Sequence, residues 1–123
     1  MKIFISHSLQ DKSLIRKLCV YLKPYGIIPY IAEHYYNLTG DISDKILKMI
    51  NDCDLALLLI TENSANSDFV KHEIGAIRAK NKQLLVVAQH GFHKLTGLLY
   101  GKDSIIYDPN NPEIALKEVR SIL

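Results

Sequence analysis

Glu73 is the residue whose type and surroundings most invite a chemical reading. In SDFVKHEIGAI (67–77), a step of about 100° per residue brings Phe69, Val70, Ile74 and Ile77 onto one apolar arc. Glu73 projects near the middle of that arc. Desolvating a charged carboxylate is costly, so one is rarely buried without a partner. Three structural readings are open: Glu73 sits at the margin of the docked face, pairs with a buried base, or reaches out to solvent. A functional reading stands beside them, in which Glu73 points into a crevice where a sparingly solvated carboxylate acts on a ligand. Spacing alone does not choose among these.

The elements that must position Glu73 are legible from periodicity. KIFIS (2–6), IIPYI (27–31), LALLLIT (55–61), QLLVVA (83–88) and SIIY (104–107) are short apolar runs that predict strands. The third, apolar throughout, reads as central and covered on both faces, while Pro29 argues for an edge position in the second. Between the strands lie helical patterns. Leu14, Ile15, Leu18, Cys19 and Leu22 follow Asp11, a good N-cap, and precede Gly26, a good stop. Ile42, Ile46, Met49 and Ile50 share a face. The Glu73 helix runs from a cap near Ser67 to about Lys80, and Asn111-Pro112-Glu113 opens a last helix. Residues 89–103 show no clean period and read as loop.

Strands alternating with helices imply an α/β fold: a flavodoxin-like, doubly wound, five-stranded parallel sheet of order 2-1-3-4-5 with helices on both faces. Ligands bind such sheets beyond the carboxyl ends of the strands, at the switch point between the first and third. SHSLQD (6–11) and TENSANS (61–67) line that crevice, and the Glu73 helix leaves from the second of these loops.

Composition narrows the function classes. The 123 residues suit one domain, 1–123, which is either a whole small protein or a portion of a longer one. Fifteen Lys and Arg against thirteen Asp and Glu give a net charge of only +2, without clustering, so no nucleic-acid partner is expected. LALLLI is too short to span a bilayer and Met1 leads almost directly into a strand, so neither membrane nor signal peptide is expected and the location reads as cytoplasmic. Cys19 and Cys53 read as small buried hydrophobes. His90 and His93 flank Gly-Phe with no third ligand nearby, so no metal is expected.

Four segments in order carry a resemblance. KIFISHSLQDK closely resembles the opening strand and loop of bacterial and archaeal TIR (Toll/interleukin receptor homology) domains. AEHYYNLTGDISDKILKMINDCD resembles the TIR BB loop and its following helix, and LALLLITENSANSDFVKHEIGA the third strand, polar loop and S-x-aromatic-x-x-x-E helix start. HGF after the fourth strand and GKDSIIYD complete the series.

The resemblance implies an enzyme that cleaves the nicotinamide–ribose bond of NAD+, in anti-phage defence or a similar immune response, giving nicotinamide and ADP-ribose or a cyclic isomer. NAD+ is then substrate, and no separate cofactor is implied. The family's indispensable glutamate falls on Glu73. Nicotinamide leaves a pyridinium as a neutral molecule and needs no general acid; what remains is to hold the ribose and stabilise oxocarbenium-like charge, which a preorganised carboxylate does. Ser6, His7 and Ser8 lie where the family's first loop meets the nucleotide. Tyr35 and Tyr36 are candidates to stack on nicotinamide or adenine, and Ser67 and Phe69, the latter where many relatives have Trp, complete the substrate-binding set. Glu33 and Gly40 match the BB loop, which in the family closes over the site and contacts neighbouring subunits. Other TIR subunits are therefore implied partners, along with a downstream effector responding to a nucleotide product. Lys94 departs from the pattern, since some NAD-cleaving relatives carry a stacking aromatic there. That departure keeps alive a non-catalytic TIR module acting by self-association or TIR–TIR docking. A nucleoside deoxyribosyltransferase-like enzyme is a third reading, against which the BB-loop match argues.

Overall fold

A computed structural model describes residues 1–31, 44–64, 68–92 and 105–123, the side chains of Leu9, Asp68 and Phe69 excepted. Strands β1 (Lys2–Ser6), β2 (Ile28–Ile31), β3 (Leu55–Ile60), β4 (Leu84–Gln89) and β5 (Ile105–Tyr107) form one five-stranded parallel sheet of order β2-β1-β3-β4-β5. Helices α1 (Lys12–Leu22), α2 (Asp44–Asp52), α3 (Asp68–Ala79) and α4 (Glu113–Ile122) complete a flavodoxin-like arrangement. Each strand lies within about a residue of its expected bounds, and β2, carrying Pro29, takes an edge as expected.

Period-two alternation divides the core between the two faces of the sheet. Leu55, Leu57 and Leu59 of β3 pack with Ile3 and Ile5 against Ile15 and Leu18 of α1 and Leu116 and Val119 of α4. Ala56 meets Phe4, Ile46 and Ile50 of α2, and Ile77 of α3, while Leu58 and Ile60 meet Val70 and Ile74. Every residue of β3 is buried, as its unbroken apolar run requires.

The helix ends correct two expectations. Asp11 stands at the N-cap position of α1 but makes no side-chain cap bond; its carboxylate is used elsewhere, as described below. Ser8 instead caps the 3-10 turn Leu9–Asp11, accepting from the Gln10 backbone N–H at 3.3 Å. At the far end α1 stops at Leu22, because Pro24 has no N–H to continue the ladder, and a 3-10 turn carries the chain to Gly26, whose φ of +71° is left-handed. Pro112 precedes α4 as its cap residue, and the helix begins one position later at Glu113. Of the cysteines, Cys53 is buried and donates to the Ile50 carbonyl at 3.0 Å, whereas Cys19 is only partly covered. Burial pushes both thiols up from their usual range.

Tyr107, at the end of β5, is 6% exposed and packs among the α1 and α4 side chains. Burial first, then the Asp11 and Glu62 carboxylates, push its phenol from 10.0 up to about 12. Since the folded value lies above the unfolded one, the associated stability is fully present below pH 10 and is lost as pH rises toward 12.

Two measurements test this architecture. Leu57→Ala and Leu58→Ala point to opposite faces, and each should cost about 2–5 kcal/mol in urea unfolding; a loss in only one of them would mean that β3 is covered on a single face. Tyr107→Phe should flatten the decline in stability between about pH 10 and 12, and an unchanged slope would contradict the burial of the phenol.

Candidate active site

The switch between β1 and β3 is where the chain direction on the two sides of the sheet diverges, and the register Ser6↔Leu58 brings the last residue of β1 level with the upper half of β3. Ser6 is even-numbered, like Phe4, and so faces α2 and α3 rather than α1 and α4. Directly across from it comes Glu73. Helix α3 is held down by Val70, Ile74 and Ile77, and this apolar stripe carries Glu73 inward with it. Its side chain is 2% exposed, and the Ser6 hydroxyl donates to Glu73 Oε1 at 3.1 Å. Both groups are buried, so the contact lies in a medium where hydrogen bonding and charge are weakly screened.

Of the structural readings left open by the sequence, two fail. Glu73 neither sits at the margin of the helix face nor extends to solvent. It is inside, at the carboxyl end of β1, bonded to a hydroxyl from the first loop's root.

The rest of the first loop is compact. His7 is 7% exposed, with Nδ1 3.5 Å from the Ile5 carbonyl oxygen, at the long limit of a hydrogen bond. Ser8 spends its hydroxyl on the turn. Ser6 and Glu73 are thus brought together by β1 and α3, and His7 and Ser8 follow directly in the same loop. Glu33, Tyr35, Tyr36, Gly40 and Ser67 lie outside the described residues, as do His93, Lys94 and the side chain of Phe69. Two clefts bounded by described residues lie away from Glu73: one of about 420 Å³ beside His90, Ile106 and Ile114, another of about 340 Å³ beside Tyr30, Lys45 and Met49.

One feature escaped the sequence reading. Asp11, 7% exposed, accepts from Thr61 Oγ1 at 2.7 Å and from Asn63 Nδ2 at 2.9 Å, so its carboxylate joins the loop after β1 to the loop after β3. Thr61 in turn accepts from the Asn63 and Ser64 backbone N–H groups at 3.0 and 3.3 Å, and Ser64 Oγ accepts from Thr61 N at 2.7 Å. The signal was present in the sequence: Thr61-x-x-Ser64 directly after a wholly apolar strand is a pattern of hydroxyls that bond their own backbone. Among the described residues no cluster of three His, Cys, Asp or Glu is placed to hold a metal ion, and no helix is long and apolar enough to cross a membrane.

Solved structures share this fold. A CMP N-glycosidase from Clostridium botulinum, BcmB, aligns over 100% of both chains with a TM-score of 0.71 and 18% identity. The TIR domains of the activated Roq1 resistosome, which directly recognises the pathogen effector XopQ, align over 99% of this chain and 98% of theirs, with a TM-score of 0.75 and 13% identity. A 2-desoxiribosyltransferase from Leishmania mexicana covers 71% of this chain with 63% of its own, with a TM-score of 0.56 and 19% identity. At these identities the likeness is one of fold. No curated protein sequence matches. The family model described as TIR domain does match, over residues 3–107, a span that runs from β1 to the end of β5 and contains Ser6, His7 and Glu73; the chain belongs to the TIR domain family.

Proposed function

We propose that this TIR domain hydrolyses NAD+ at the nicotinamide–ribose bond, with Glu73 as the catalytic carboxylate. The observation that carries the reading is the burial of Glu73 beside Ser6 at the carboxyl end of β1, where doubly wound sheets bind ligands. Folding alone gains little from a covered carboxylate, since removing charge from water costs several kcal/mol that its partners must offset. A reaction that develops positive charge gives it a use.

The bond between C1′ of the ribose and the pyridinium nitrogen breaks, and its electron pair neutralises the ring, so nicotinamide departs uncharged. Positive charge passes to C1′ and the ring oxygen of the ribose. Glu73 stabilises that charge or accepts from the ribose hydroxyls, while Ser6 fixes which oxygen of the carboxylate faces the crevice. Water then adds to C1′ and releases its proton, giving ADP-ribose; attack by the adenine ring instead gives a cyclic isomer. Self-association with other TIR subunits, an anti-phage or immune role, and an effector that responds to the product belong to the same proposal.

The shared fold with a CMP N-glycosidase favours a second substrate class, nucleoside monophosphates. Chemistry separates the two. Cytosine leaving a neutral nucleoside carries away negative charge and needs a proton donor, whereas nicotinamide needs none. NAD+ therefore suits a site in which one carboxylate carries the chemistry and no proton donor is required.

Concentrated protein incubated with NAD+ should release nicotinamide, and Glu73→Ala should lower that release by roughly 10²–10³-fold or more. Release of cytosine from CMP with none of nicotinamide would move the substrate to the second class. Absence of both products at high concentration would contradict the enzymatic proposal and leave a TIR scaffold. If subunits complete one another's sites, specific activity should rise with protein concentration; constant specific activity down to nanomolar levels would remove self-association from the proposal.

A further inference from the structure

We propose that Asp11 is a positioning residue for Glu73, acting as a clamp between the two loops that flank the switch point. The inference rests on the NAD+-cleaving reading for its activity measurement, but its geometry stands independently.

Two side-chain bridges span the switch point, one from β1 to α3 and one from loop to loop. On the α3 side, Ser6 Oγ donates to Glu73 Oε1. On the α1 side, five residues after Ser6, Asp11 accepts from Thr61 and Asn63. Asp11 is itself tied to the first loop, its backbone N–H donating to the Ser8 carbonyl at 3.0 Å. Chain connectivity closes the circuit: Ser6 to Glu73, back along α3 to the loop of Thr61–Ser64, across to Asp11, and through Ser8 to Ser6.

The loop is rigid within itself. Thr61 and Ser64 exchange bonds, and Ser64 Oγ also donates toward the Leu59 and Thr61 carbonyls at 3.1 and 3.3 Å. Beyond the strand it continues, the loop is tied to β4 by the Glu62 N–H, which donates to Gln89 Oε1 at 3.1 Å, and to the first loop by the two bonds to Asp11. Thr61 Oγ1 already accepts two backbone N–H groups, so both its lone pairs are used and its proton must go outward to an acceptor. Asp11 supplies that acceptor, and its second oxygen receives Asn63. A carboxylate, with no donor of its own, satisfies both partners at once.

By chain connectivity, releasing this clamp loosens the first turns of α3 along with the loop, and a catalytic group displaced by about 1 Å can cost about 10²-fold in rate. Asp11 lies on the opposite face of the sheet from Glu73 and acts only through the loop.

Asn63 is exposed, which permits a test that leaves the core intact. Asn63→Asp removes the amide donor and sets a second carboxyl group against Asp11, and should open the clamp. Combining it with Asp11→Asn reverses the polarity: the amide now on the first loop donates to the carboxylate now on the second, and its carbonyl still accepts from Thr61. Asn63→Asp alone should lower kcat for nicotinamide release by about tenfold or more, with a smaller change in KM, and the double variant should return to within about threefold of the original. Unchanged kcat in Asn63→Asp, or no recovery in the double variant at equal folded fraction, would overturn the proposal.

Hydrogen exchange supplies the second measurement. In Asn63→Asp the amides of Thr61, Ser64 and position 63 itself, together with His72 and Glu73, should exchange faster, those of β4 should not change, and the double variant should restore them. If the unaltered protein releases no nicotinamide, the functional reading falls and exchange alone decides the clamp: unchanged protection at His72 and Glu73 overturns it, and faster exchange with restoration supports it.

Discussion

A carboxylate inside an apolar helix face is the constraint around which the carboxyl end of the sheet is arranged. Val70, Ile74 and Ile77 drive α3 onto the sheet, and that same docking forces Glu73 out of water. The cost of burial restricts what can stand opposite. Ser6, a small residue with a hydroxyl donor that follows the apolar Ile3–Phe4–Ile5 run of β1, meets the requirement. A larger apolar residue at position 6 would leave the carboxylate without this donor.

The topology explains why those two residues meet. In the order β2-β1-β3-β4-β5, β1 and β3 are neighbours whose following segments go to opposite faces of the sheet, α1 on one and α3 on the other. A crevice opens between them. The polar groups at the sheet's carboxyl end then fall into two sets. Ser6 and Glu73 bridge on the α3 side, whereas Asp11, Thr61 and Asn63 bridge on the α1 side, with Tyr107 near enough for Asp11 to help hold its phenol in the neutral form at high pH. One set faces the proposed chemistry, and the other holds the frame.

Much of this was legible in the sequence. Unbroken apolar runs such as LALLLI announce doubly covered strands, and Pro29 marked an edge because it cannot complete a ladder on both sides. Wheel geometry placed Glu73 on the buried arc correctly. What periodicity could not show was the partner, because Ser6 lies 67 residues away and only the parallel pairing of β1 with β3 brings the two together. Asp11 was misread for a related reason. Local rules favour Asp at a helix start, but two long-range acceptor bonds outcompeted the cap. The family resemblance carried the choice of NAD+, since nothing in spacing or charge selects a nicotinamide nucleotide over another glycoside.

If Glu73 is buried for chemistry and not for stability, the two roles separate when its charge is removed. Urea unfolding of Glu73→Gln against the original chain tests this most directly, because glutamine keeps an acceptor for Ser6 while removing the charge. If the residue serves the reaction, the variant should be as stable as the original or more so, as is common where a functional site holds strain or charge. A loss of about 3–5 kcal/mol, the cost expected for breaking a buried ionic partnership, would instead make Glu73 a structural pin and contradict the proposed role.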